Sequence, residues 1–291
     1  MNDTVYTGIL EVSGRGACLR DDSGIARFEG ERIWDGYITH WAGKKVCARR
    51  LAQRDYETGN NIIIMWPGPS GAQEPFVELY FNERLVKYPA SLLGHLAINV
   101  NGSIFNFSHL LNENEALRHE EYFFRPALGE FAPHPVTMRF DRSDPDRPYY
   151  DKFGRLFMRS IHVLRLTGID TAAMKNIFDS ELRSIYDTGG KAGRPEKYAG
   201  FNLFTRSCAT IIRDGLAAYG FTGISGIFPR DLFVNAAYYF FTGKDNLGIT
   251  VSMKTLKQLV VPEAPLSAMA PLLNPFNRIR QRRIERISVY R

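Results

Sequence analysis

The chain has 291 residues, which at about 100–200 residues per domain is length for two domains. At 44% hydrophobic, 23% charged and 13% aromatic it has the composition of an ordinary folded globule, which excludes disordered, collagenous and coiled-coil proteins. Its formal charge of +6 is concentrated in residues 275–291, which hold six arginines against one glutamate. The rest is nearly neutral, so the basic balance does not by itself indicate nucleic-acid binding.

No run approaches the roughly 18 apolar residues that a membrane-spanning helix needs. The opening MNDTVYTGILEV lacks a basic stretch followed by an apolar one, so the expectation is synthesis in the cytoplasm without a classical signal peptide and with no transmembrane segment. Cys18, Cys47 and Cys208 are too few and too scattered for a disulfide framework or a zinc site. No metal and no cofactor is expected, and what is left for chemistry is a reactive thiol.

In chain order, residues 1–66 alternate strand-like runs with turn signals at 5–12, 17–20, 26–29, 45–51 and 61–65. Between the third and fourth, Ile33, Trp34, Tyr37, Ile38 and Trp41 are spaced as in a helix. Five strands and a helix predict a small OB-like or SH3-like β-barrel. Residues 67–75 close the Pro- and Gly-rich run WPGPSGAQEP and read as a linker. Beyond it come a strand at 76–80, a hairpin over 94–108, an irregular aromatic stretch and a strand at 159–166. A helix is expected over 171–186, N-capped by Asp170 and turning Met174, Ile177, Phe178, Leu182 and Ile185 inward. A Gly-rich loop at 188–200 follows. The class is α+β, with a second domain over 76–262 and a basic tail at 263–291.

The hairpin carries the first chemical lead. Asn101-Gly102 between alternating apolar residues is the signature of a two-residue turn. Paired positions then sum to 203, which sets Ala97 opposite Asn106 and His95 opposite Ser108. His95, Asn106 and Ser108 share one face, because side chains repeat every two residues. The second lead is SCATIIRDGL, where Ile211, Ile212 and Leu216 fit a helix beginning near Cys208. A thiol in a helix's first turn is biased toward thiolate by the dipole and the N–H groups there. If His95 approaches it, a thiolate–imidazolium pair follows, with the Cys208 N–H offered to an oxyanion.

Gly94-His95 opening a hairpin, a later cysteine at a helix start, a Gly-rich turn and then Pro229-Arg230-Asp231-Leu232 before another helix together resemble the permuted NlpC-type papain-like cysteine hydrolases over residues 76–245. That resemblance implies a papain-like fold of permuted order, with Cys208 as nucleophile, His95 as general base and then acid, and Asn106 as the residue orienting His95. Ser108 is the second candidate for the orienting role, and Ser207 stands where many relatives have Asn. Members of the family cleave amide or ester bonds in peptidoglycan stem peptides or in lipids, and several are antibacterial toxins delivered by type VI secretion. The implied activity is that of a cysteine amidase or endopeptidase acting on peptidoglycan, with an immunity or delivery protein as a further partner and a target-cell periplasm as its destination. A lipid-directed acyl hydrolase or acyltransferase with the same dyad is the alternative.

Blander readings stand beside these. A lone helix cysteine is commonly a small buried hydrophobe, a histidine can close a strand, and a hairpin asparagine can satisfy backbone groups. His109 and His119 form no metal pattern, and Cys18 and Cys47 are expected to pack. Barrel plus arginine-rich tail could make a nucleic-acid-binding module, which the near-neutral first domain argues against.

Overall fold

The structure, a computed structural model, describes residues 4–14, 16–55, 58–68, 74–83, 93–126, 154–259 and 274–289. In chain order they form β1 (Tyr6–Ser13), β2 (Gly16–Asp21), β3 (Ala26–Arg27), α1 (Asp35–Trp41), β4 (Lys45–Arg54), β5 (Asn61–Pro67), β6 (Phe76–Asn82), β7 (His95–Val100), β8 (Ser103–Asn106), β9 (Glu115–Leu117), α2 (His119–Phe124), α3 (Arg155–Met158), β10 (Ile161–Thr167), α4 (Thr171–Thr188), β11 (Gly190–Lys191), β12 (Arg194–Tyr198), α5 (Cys208–Tyr219), α6 (Pro229–Leu247), β13 (Thr250–Leu256) and α7 (Phe276–Val289). The protein is α+β with antiparallel sheets. No helix among the described residues is long and apolar enough to cross a membrane.

Two compact units divide the chain: Met1–Gly71 with His119–Phe157, and Ala72–Arg118 with Met158–Arg291. The boundary between Gly71 and Ala72 falls inside the expected linker, of which residues 69–73 lie outside the described residues, as do 127–153 of the aromatic stretch.

In the first unit all five expected strands form, but among the described residues they make an open sheet, in the order β3-β2-β1-β4-β5, and not the closed barrel that the strand count suggested. Closure needs the two edge strands to pair. β3 is two residues long and bonds only β2, so it offers β5 almost no ladder. The unit also takes in a segment that the sequence had assigned to the second domain. Arg49 of β4, 4% exposed, donates to Glu120 at 2.9 Å and also bonds Glu121 of α2. Tyr37 of α1 donates its hydroxyl to the Phe124 carbonyl. Trp34 meets the edge of the Phe157 ring at 4.7 Å, and Trp41 that of Phe124 at 5.6 Å. Such ring pairs add about 0.5–1.5 kcal/mol each beyond the area they bury.

The second unit is a six-stranded antiparallel sheet, β13-β10-β6-β7-β8-β9, with helices packed on it. Asn101 (φ 49°) and Gly102 (φ 98°) both take left-handed backbone, as the two-residue turn requires. Ala97 accordingly pairs with Asn106 and Val100 with Ser103. Asp170 caps α4 by accepting from the N–H groups of Ala172 and Ala173, and Met174, Phe178 and Ile185 point inward. α5 lies on β7, and its Ala209, Ile212 and Leu216 join Leu96, Ile98 and Val100 in one core. The expected loop at 188–200 contains the β11–β12 hairpin. Pro229 stands at the first position of α6, where a missing N–H costs nothing, so the Pro-Arg-Asp-Leu run is the opening turn of that helix and does not precede it. Of the expected tail, residues 263–273 and 290–291 lie outside the described residues, and α7 is held on α6 by buried Ile284 and by Asn277, whose amide donates to Asp231 at 3.0 Å.

Candidate active site

The histidine is set by the residue before it. Gly94 has φ 74°, and a Cβ there would lie 2.7 Å from the carbonyl oxygen of Asn82; only glycine satisfies both the conformation and the space. His95 then opens β7 opposite Asn82, whose amide donates to the His95 carbonyl at 3.3 Å.

Asn106 ends β8 on the face it shares with His95, and its Oδ1 is 2.7 Å from His95 Nε2. The amide's orientation follows from its other end. Asn106 Nδ2 is 2.7 Å from the Glu113 carbonyl oxygen, which can only accept, so the NH2 group faces Glu113 and the oxygen faces the imidazole. An amide oxygen also only accepts, so the proton of neutral His95 sits on Nε2. Nδ1 therefore carries the lone pair, and the ring has a defined basic nitrogen.

Ser108, the other candidate for holding His95, is engaged elsewhere. β8 stops at Asn106, and the Ser108 hydroxyl donates to the Glu113 carboxylate while its N–H donates to Asn114 Oδ1 at 2.9 Å. Asn114, fully buried, donates in turn to the carbonyls of Ser108, Leu110 and Leu111. That small network shapes the loop that brings the Glu113 carbonyl to Asn106. Neither Glu113 nor Asn114 stood out in the sequence; LNENE reads as a plain polar turn.

Cys208 is the first residue of α5 and is partly buried. Ser207 caps the helix in a reciprocal box: its N–H donates to Thr210 Oγ1 at 2.7 Å and its hydroxyl accepts from the Thr210 N–H. Serine is among the best N-cap residues, so Ser207 by itself fixes the helix start that carries Cys208. The thiol lies at the positive end of the α5 dipole. Just upstream, Arg206 donates to the Tyr198 hydroxyl at 2.6 Å and pairs with Glu181. Asn202 and Arg206 exchange backbone hydrogen bonds, and Asn202 Oδ1 accepts from the N–H groups of Phe204 and Thr205. This tight turn holds Leu203 and Phe204 outward, at 42% and 57% exposure.

The structure thus brings His95 and Asn106 into contact, sets Cys208 on the helix that packs against the strand of His95, and takes Ser108 away. Cys18 and Cys47 are unbridged, with Cys47 buried 3.4 Å from the Thr7 hydroxyl. His109 and His119 each meet an aromatic ring. A second polar cluster had no sequence signal: His162 lies between Glu83 at 2.9 Å and Thr255 at 3.0 Å, with Arg230 beside Glu83, all within the second unit. No family model matches the chain, and neither a curated protein nor a solved structure matches it at a significant level.

Proposed function

We propose that the protein is a cysteine hydrolase of the papain-like type, with Cys208 as nucleophile, His95 as general base and acid, and Asn106 as the residue that fixes the imidazole. The observation that carries this reading is the chain from His95 through Asn106 to the Glu113 carbonyl, because it puts the proton of neutral His95 on Nε2 and makes Nδ1 the basic nitrogen. Leu96, the next residue, packs in the core with α5, so this reading requires the imidazole to reach the thiol past the start of β7 and not across the sheet. His95 is the first residue of that strand and only partly buried, which is consistent with such a reach.

The chemistry is acyl transfer to water. Nδ1 takes the thiol proton, and Sγ attacks the substrate carbonyl carbon. The oxyanion forms at the positive end of α5. The imidazolium then protonates the leaving nitrogen, the C–N bond breaks and a thioester remains. Water, giving its proton to the same imidazole, attacks the thioester and releases Cys208. By its resemblance the substrate is an amide bond of peptidoglycan stem peptides, met after delivery into a target cell.

Leu203 and Phe204, exposed five and four positions before the thiol, favour a second reading, an acyl hydrolase or acyltransferase acting on lipid. Purified peptidoglycan and phospholipid vesicles, each incubated with the protein and with Cys208→Ala, separate the two. Release of stem peptides supports the first and release of fatty acid the second. Turnover that survives Cys208→Ala contradicts both.

A further inference from the structure

The arginine-rich tail of the sequence is the helix α7, and its two faces have different tasks. The inner face docks on the second unit: Ile284 is 2% exposed, Asn277 bonds Asp231, Arg280 bonds Asn235 and Asn277, and Arg283 donates to the Tyr238 hydroxyl at 3.0 Å. These contacts fix how the helix is rotated, and they leave an outer face that the core does not need. There Phe276 and Ile279 are 66% and 54% exposed. Beside them Arg278, Arg282 and Arg286 recur every four residues, which at 3.6 residues per turn makes one row along the helix. All three are exposed, and none takes an acidic partner among the described residues.

We infer that this outer face is a docking surface for an anionic lipid bilayer. Unpaired guanidinium groups in a row gain Coulomb energy at phosphate headgroups, and their aliphatic stems let the charge stay at headgroup level while the apolar pair sinks beneath it. The apolar pair decides between polyanions. A nucleic-acid backbone would meet the arginines equally well, but Ile279 is aliphatic and has no face on which a base can stack, so it would stay in water. At a bilayer both Phe276 and Ile279 leave water. The inference is independent of Cys208 chemistry.

The test uses the full chain and vesicles of two parts phosphatidylcholine to one part phosphatidylglycerol, with pure phosphatidylcholine as control. Co-sedimentation is expected with the anionic vesicles only, falling as salt rises. Phe276→Ser with Ile279→Ser should weaken it by at least about tenfold, and Arg278→Glu with Arg282→Glu should abolish it. These side chains are exposed, so an unchanged melting temperature checks that the variants fold. Phe276→Trp gives a second readout, a blue-shifted emission when anionic vesicles are added. Equal binding to uncharged vesicles, binding of duplex DNA without binding of vesicles, or full vesicle binding by the double Ser variant would each overturn the inference.

Discussion

His95 Nε2 and Asn106 Oδ1 lie 2.7 Å apart, and the Asn106 amide is turned that way by the Glu113 carbonyl. From this pair follows the first prediction. Asn106→Ala should lower the turnover of whichever substrate is cleaved by about 10²-fold, mainly in kcat, because the ring is left to rotate and to choose its tautomer. Asn106→Asp keeps an acceptor at Oδ1 and should retain more activity than Ala. Steady-state kinetics of the two variants give the comparison; equal losses would remove Asn106 from the mechanism.

Gly94→Ala forces a Cβ against the Asn82 carbonyl at a backbone angle that alanine avoids. A loss of about 2 kcal/mol in unfolding free energy is expected, measured by denaturant titration, with a drop in activity larger than that stability loss explains. A neutral substitution would mean that the β6–β7 approach is looser than described.

Ser207→Ala removes one half of the capping box on α5 and should cost about 1 kcal/mol, whereas Ser207→Asn should be close to neutral. Thermal unfolding of the two variants provides the check. A stable Ala variant would separate the cap from the integrity of the helix start that carries Cys208.

In the first unit, burial works against the charge of Glu121, but Arg125 and Arg49 outweigh it and hold its carboxyl below the usual glutamate range. Its folded-state value is therefore lower than its unfolded one. The stabilisation is present above the unfolded value of about 4.3 and is lost as pH falls through the folded one. Glu121→Gln should destabilise the protein by about 3 kcal/mol at neutral pH, because it strips buried arginines of a partner. The gap to wild type should shrink in acid below that range. Denaturation curves across pH follow this, and a gap that widens in acid would reverse the assignment.

What could be read beforehand divides along physical lines. The shared face of His95 and Asn106 was legible because Asn101-Gly102 fixes a register, and register is local. The start of α5 near Cys208 was legible from apolar spacing, whereas the Ser207 cap that fixes it was not read beforehand. Closure of the first sheet was not, since it depends on whether β3 and β5 meet, and strand runs do not encode which edges pair. The transfer of α2 to the first unit rests on Arg49 meeting Glu120 and Glu121, residues far apart in sequence that carry no pattern of their own. The turn of Ser108, the second candidate, toward Glu113 and Asn114 was not legible, because the alternation that aligned it with His95 ends at Asn106, where buried Asn114 captures the chain. Glu83 and His162 find each other only across neighbouring strands, so their pairing had no local trace.

The central claim is that the thiol of Cys208 and the imidazole of His95 act together. The rate at which iodoacetamide modifies Cys208, followed by mass spectrometry across pH in wild type and in His95→Ala, addresses it most directly. The account predicts fast modification in wild type well below the ordinary thiol value of about 8.5, and in the variant a slower reaction that climbs only near that value. Identical profiles in the two proteins, both rising near the ordinary thiol value, would contradict it.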